Sequence, residues 1–337
     1  MSLYLGSNKI NEINYIKNTS QSGPDSLIDG TISNCSLDVS TIGIHAFAYC
    51  YDLIEVSFPS CTNINRYAFQ RCSSLASVSF PACTYIGTGA FQSCTALTSV
   101  NFPACTYIDN YAFQRCSFLT SVNFPACSYI GYAAFEDCSR LTTANFPSCT
   151  IMNQYAFSAC SSLDSVSFPA CTSVGYAAFA NCYDLTEVNF LSCTRIGTYA
   201  FTHCYSLTEV NFPSCTRMDA YAFEQCGALT SVNFPACTSI GSSAFISCYA
   251  LTEASFPKCK NIYTAAFGNC FNLVSLYLTE ISSVTTLSHT VFVNTPIGGY
   301  TGSTGGVYGS VYVPASLYDA FLTAPYWSDI SARIVSV

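Results

Sequence analysis

Charge is what this 337-residue sequence has least of. Only 9% of its residues are Asp, Glu, Lys or Arg, against about 25% in an ordinary soluble domain. The 11 Lys and Arg are scattered, and 19 Asp and Glu leave a net charge of −8. Nucleic-acid binding draws its affinity from a basic stripe that displaces counterions, so this balance argues against it, and against anionic membrane surfaces. Long apolar runs are also missing. Half the residues are hydrophobic, yet Ser, Thr, Asn or Tyr interrupts every apolar triplet, and nothing approaches the roughly 18 residues of a membrane-spanning helix. The first twenty residues hold no apolar segment followed by a small-residue cleavage site, so no signal peptide is expected. Histidine is down to three, His45, His203 and His289. None stands at a spacing from Ser, Cys or Asp that recurs in nucleophilic catalysis. Phosphate-loop, dinucleotide and HExxH zinc signatures are absent too. The glycines at 298–309 lack the Lys-Ser/Thr ending that a phosphate loop requires. No catalytic residue, metal or cofactor is expected.

What is present is repetition. Twenty-one of the 22 cysteines, from Cys50 to Cys270, fall 11 residues apart. They mark ten consecutive 22-residue units of the form C-x-x-L-x-x-V-x-F-P-x-C-x-x-I-x-x-x-A-F-x-x, of which residues 94–115 are an example. A fixed period of this length is the signature of a solenoid, in which each coil buries its apolar face only against its neighbours. Within the unit, Leu97, Val100 and Phe102 alternate with polar residues, which is strand periodicity. The following Pro ends the ladder. Ile108 supplies another inward anchor, and the spacing around Ala112, Phe113 and Cys116 suits a single helical or 3₁₀ turn. Stacking at about 4.8 Å per coil places twenty phenylalanines in two columns, Phe58 to Phe256 and Phe69 to Phe267.

Three segments follow. Residues 1–49 form a polar N-terminal stretch and a degenerate capping repeat, with a short strand at Leu3, Tyr4 and Leu5, a turn at 21–24, and Ile32, Cys35 and Leu37 in the repeat spacing. Residues 50–278 carry the regular repeats. Residues 279–337 form a C-terminal cap with a Gly-rich loop at 298–309, a strand, a helix from about Ala315 to Leu322 closed by Pro325 and Trp327, and a last strand.

The run F-P-x-C-T-x-I-G-x-x-A-F-x-x-C-x-x-L-T-x-V resembles the BspA-like, or Treponema-type, leucine-rich repeat, from about Ile32 to Leu278. The tail from Val311 is similar to the segment that usually closes that family. The units here are one residue shorter after the Pro and place Cys where the family has an aliphatic residue. The resemblance implies an α/β repeat solenoid: a right-handed leucine-rich superhelix of eleven to twelve coils. A parallel β-sheet lines its concave face, with short helical or 3₁₀ turns or short strands on the convex side. It also implies a bacterial surface protein that adheres to a host or neighbouring-cell protein or glycan. The alternative is a structural part of a phage particle or envelope assembly, because the opening MSLYLGSNKINEI is similar to the starts of some prophage structural proteins. Location then divides between the cell surface or secretion on one reading, and the cytoplasm or a phage particle on the other.

Candidate binding residues lie between the core anchors. Ser99, Asn101, Asn123, Asn145, Glu187, Asn189, Glu209, Asn211 and Asn233 point outward from the strand if Val and Phe point inward. The asparagines either bind a ligand or hydrogen-bond one another as a structural ladder. Glu187 and Glu209 face each other as like charges and either hold a cation or basic partner or remain solvated, balanced by nearby Arg. Tyr107, stacked with Tyr85 and Tyr129, and Tyr111, which recurs at Tyr67, Tyr155, Tyr199 and Tyr221, either contact a partner or pack on the next coil. The cysteines read as buried free thiols, since 11-residue spacing gives neither zinc pairs nor converging disulfide partners.

Overall fold

Each 22-residue unit makes one coil, and its hydrophobic spacing yields two short strands. Val100 turns inward between exposed Ser99 and Asn101, forming the strand Ser99–Asn101. Phe102 donates its N–H to the Asn123 carbonyl of the next coil at 3.0 Å. Pro103 has no N–H to give, and the ladder stops there. Buried Ile108 then anchors the two-residue strand Tyr107–Ile108. The computed structural model describes residues 39–300, 305 and 307–337, together with the strands Tyr4–Leu5, Asn8–Lys9 and Asn34–Ser36.

The chain divides into two units, Met1–Cys149 and Thr150–Val337. In the first, Asn34–Ser36, Glu55–Ser57 and Ser77–Ser79 pair in parallel, as do Ser99–Asn101, Ser121–Asn123 and Thr143–Asn145. In the second, one parallel set is Ser165–Ser167, Glu187–Asn189 and Glu209–Asn211. Another runs from Ser231–Asn233 through Glu253–Ser255 and Ser275–Tyr277 to Ser310–Val313 and Ile334–Ser336. Among the regular coils, paired residues are 22 apart; a one-residue shift would turn the inward anchors to solvent. Each unit is thus a parallel β-solenoid of the leucine-rich repeat kind with little helix. Six coils in the first and seven in the second make thirteen, more than the eleven or twelve expected. The tail itself contributes one, at Ser310–Val313.

Stacked phenylalanines fill both cores. In the first unit Phe47, Phe69, Phe91, Phe113 and Phe135 follow one another at 5.0–5.2 Å with ring planes within 7° of parallel. The parallel column through Phe58, Phe80, Phe102, Phe124 and Phe146 meets the first edge-on or tilted. The second unit repeats both columns, Phe157 to Phe267 and Phe168 to Phe256. Burial of each ring contributes roughly 1.5–3 kcal/mol, and each offset stack adds about 0.5–1.5 kcal/mol.

Of the helical or 3₁₀ turn expected at the Ala-Phe segment, the 3₁₀ alternative forms, without a continuous helix. Bonds of 3₁₀ type do close there, from Gln114 N–H to the Tyr111 carbonyl and from Cys116 N–H to the Phe113 carbonyl, both at 3.1 Å. Yet Tyr111 (φ 59°) and Arg115 (φ 62°) are left-handed, which stops any right-handed helix. The N–H groups of residues 111, 113 and 115 point instead to the carbonyls of Tyr132, Ala134 and Glu136 on the next coil, at 2.7–2.8 Å. This corner is a third inter-coil ladder built from turns.

At the N-terminal end, Tyr4–Leu5 pairs with Asn8–Lys9, and Cys35 is in register with Val56. Ile32, Leu37 and the turn at 21–24 lie outside the described residues, as do 301–304 and 306 of the Gly-rich loop. At the other end Ala315–Leu317 is a 3₁₀ turn, Tyr318–Thr323 an α-helix and Ser328–Arg333 a second 3₁₀ segment. Trp327 is fully buried, edge-on to Phe321, and donates its indole N–H to the Thr285 carbonyl at 2.7 Å.

Candidate functional site

The strand face carries the outward residues in register. In the first unit the Asn123 amide donates to the Asn101 side-chain oxygen at 2.8 Å, and Asn145 donates to Asn123 at 2.6 Å. In the second, Asn211 donates to Asn189 at 2.9 Å. An amide has two donors and two acceptor positions, so each rung spends one N–H or one lone pair per neighbour and keeps the rest. Ser99, Asn101, Asn145, Asn211 and Asn233 are exposed, and Asn123 and Asn189 are partly so. The ladder therefore holds amides in one fixed orientation along a polar, nearly uncharged surface.

Asn233 makes no such bond. The strands Glu209–Asn211 and Ser231–Asn233 belong to different sheets, and the Phe column widens to 6.0 Å between Phe212 and Phe234. Its other steps in this unit are 5.1–5.5 Å.

Glu187 and Glu209 are direct neighbours in the parallel register, both exposed, and no ion pair joins either to a described residue. The balancing arginines expected there are engaged elsewhere. Arg195 and Arg217 face each other on the short strands, and Asp219, only 8% exposed, accepts from both at 2.7–2.9 Å. One carboxylate thereby reconciles two like charges that would otherwise repel.

Tyr85, Tyr107 and Tyr129 do stack, at 5.5 and 4.3 Å. Their faces are spent on one another and each is half-buried. Burial, and then the bond to Tyr129, pushes the Tyr107 phenol up. The Tyr85 hydroxyl donates to Asp109 at 3.1 Å. Tyr111 lies edge-on to Tyr132 at 5.2 Å. These rings offer a partner their edges more than their faces.

All twenty-one cysteines from Cys50 to Cys270 are buried and free, and they do more than fill space. In one column each thiol donates to the carbonyl two residues on, as Cys105 does to Tyr107 at 3.4 Å. In the other it reaches back to a Phe carbonyl, as Cys94 does to Phe69 at 3.0 Å. Burial pushes the Cys83, Cys127 and Cys193 thiols up to about 12, so these three offer almost no thiolate for attack or metal binding at neutral pH. Among the described residues no three His, Cys, Asp or Glu come together as metal ligands. His203 bonds Asn181 at 3.0 Å, and His45 stacks on Tyr67 at 5.2 Å.

One surface feature lies outside the sequence expectations. From the coil that opens at Cys182 onward, the position after the first Cys reads Tyr183, Tyr205, Gly227, Tyr249 and Phe271. Tyr183 stacks on Tyr205 at 5.5 Å and Tyr249 on Phe271 at 5.6 Å, both pairs 11° from parallel. The three tyrosines are 44–47% exposed. Reading this column of letters down the repeats would have found the row.

A family profile described as "BspA type Leucine rich repeat region (6 copies)" matches residues 4–97, 40–164, 84–204 and 172–297. Among solved structures, a leucine rich cell surface protein from Faecalibacterium prausnitzii is 24% identical, with a TM-score of 0.48 over 78% of this chain and 85% of that one. A leucine-rich repeat protein from Bacteroides ovatus is 22% identical, with a TM-score of 0.39 over 75% and 91%. The Treponema pallidum leucine rich repeat protein is also 22% identical, at 0.33 over 65% and 78%. No curated protein matches. No helix among the described residues is long and apolar enough to cross a membrane. The family profile spans most of the sequence, and the chain belongs to the BspA-type leucine-rich repeat family.

Proposed function

We propose that this chain is a non-catalytic binding scaffold that recognises a protein or glycan through its strand face, as a surface adhesin does, with residues 1–49 and 279–337 capping the repeats. The observation that carries this reading is the oriented Asn ladder, bonded along the stack at 2.6–2.9 Å and exposed to solvent. Amides already fixed by their neighbours lose little freedom on binding, and a nearly uncharged surface suits contact by shape and hydrogen bonds more than by steering. Among the described residues, the buried thiols and the scattered histidines form no nucleophile–base pair that would support turnover.

The test is binding of the full chain to an array of glycans and extracellular-matrix proteins. Saturable binding is expected, weakened at least about tenfold when Asn189→Arg and Asn211→Arg place bulky charges on the face, with thermal unfolding unchanged. Binding untouched by these substitutions would move recognition off the strand face. Protease accessibility on intact cells tests the surface location.

A further inference from the structure

The aromatic row of the second unit has one rung missing. Tyr183 and Tyr205 stack on one side of Gly227, and Tyr249 and Phe271 stack on the other. A Cβ built on Gly227 would meet a single neighbouring atom within 4 Å, Cδ2 of Tyr249 at 3.9 Å. The position is therefore open, and two exposed tyrosine rings flank it one coil away on either side. On the Tyr205 side the coils part at the strand that follows: no strand ladder ties Glu209–Asn211 to Ser231–Asn233, and the Phe212–Phe234 step is the widest of its column in this unit, while beside the gap Ala228 N–H still reaches the Tyr205 carbonyl at 3.2 Å.

Charge marks what the gap would accept. Four residues beyond Tyr205 and Tyr249 stand exposed Glu209 and Glu253, whereas the middle coil has Ser231. Ring and carboxylate are thus both absent from the middle coil and present on each neighbour. Between residues 205 and 257 the single basic residue is Arg217, and Asp219 holds it. The guest best matched to two π faces and uncompensated negative charge is planar and cationic. The chain itself shows that a guanidinium fits one coil step from a ring: in the first unit Arg140 lies 4.0 Å over Phe118, the residue 22 before it.

We propose that the gap at Gly227, between Tyr205 and Tyr249, is a slot for an arginine side chain presented by a protein partner. The guanidinium replaces the missing rung and stacks on both rings, and Glu209 and Glu253 supply the opposite charge. This rests on the scaffold reading only in expecting a protein partner. It needs no contribution from the Asn ladder.

The test titrates the full chain with acetyl-Gly-Ser-Gly-Arg-Gly-Ser-Gly-amide, followed by saturation-transfer NMR and calorimetry. Saturable binding is expected, tighter than that of the same peptide carrying Lys or Tyr in place of Arg, and tighter than that of methyl β-glucoside. Gly227→Tyr supplies the rung with a residue the same position already carries in three other coils of this unit. It should keep the fold and weaken the Arg peptide about tenfold. Glu209→Gln with Glu253→Gln should weaken it several-fold and reduce its salt dependence. Failure of the Arg peptide to bind, or equal binding to Gly227→Tyr, overturns the slot. Preference for the Tyr peptide or the glucoside overturns the arginine assignment. Because the probe is a short peptide and the substitutions lie off the Asn ladder, neither result bears on Asn189 and Asn211.

Discussion

The thiols of Cys83, Cys127 and Cys193 are buried hydrogen-bond donors whose protons are held by desolvation. Cys83, Cys127 and Cys193 stay protonated to about 12, whereas an exposed thiol in the unfolded chain ionises near 9. Between those values the unfolded state binds fewer protons than the folded state, so stability falls as pH rises. Below about pH 9 both states are protonated, and this contribution is fully present. Each such thiol adds a slope of about −1.4 kcal/mol per pH unit above 9. Chemical denaturation at pH 7, 9, 10 and 11 should show a midpoint flat to pH 9 and dropping steeply beyond it. A midpoint unchanged at pH 11 would contradict the burial of these groups.

At the scale of one coil, the corner ladder depends on two left-handed residues that are seldom glycine. Ala159 (φ 59°) is one of them, and its N–H reaches the Ala180 carbonyl at 2.8 Å. A Cβ in this region carries a penalty of about 1–2 kcal/mol, offset by the greater freedom of glycine in the unfolded chain. Ala159→Gly should therefore stabilise by about 0.5–1 kcal/mol in urea unfolding. Ala159→Pro, which loses the N–H and cannot reach a positive φ, should cost roughly 3 kcal/mol or more. These corners were the least legible part of the fold, since Tyr111, Arg115, Ala133, Asp137 and Asn181 share no chemistry that announces a left-handed backbone. The inward anchors were plain, because Leu97, Val100, Phe102, Ile108 and Phe113 recur at constant spacing, and a period of 22 leaves one register open. The Asn ladder was readable for the same reason. The aromatic row was missed because its defining residue is an absence, Gly227, visible only against the tyrosines 22 residues before and after it.

Within a whole stacked unit, every regular coil offers its neighbours the same ring faces, carbonyls and amides, so coils are interchangeable. Deleting residues 227–248 joins Cys226 to Tyr249 and leaves the pattern unbroken. The shortened chain should keep its parallel-sheet circular dichroism and unfold cooperatively, at a slightly lower midpoint. Deleting only residues 227–237 preserves the 11-residue cysteine beat but removes a strand, so that two turn segments follow one another. That chain should lose most of its cooperative transition, and its survival would mean that the coil is not the unit of stability.

The cysteine beat also makes the chain its own ruler. Two thiols per coil, silent while packed, become alkylable only when their own coil opens, and local opening differs in free energy along a structure. Mass spectrometry of a slowly labelled sample would therefore record, every 11 residues and without any engineered probe, the order in which this protein comes apart.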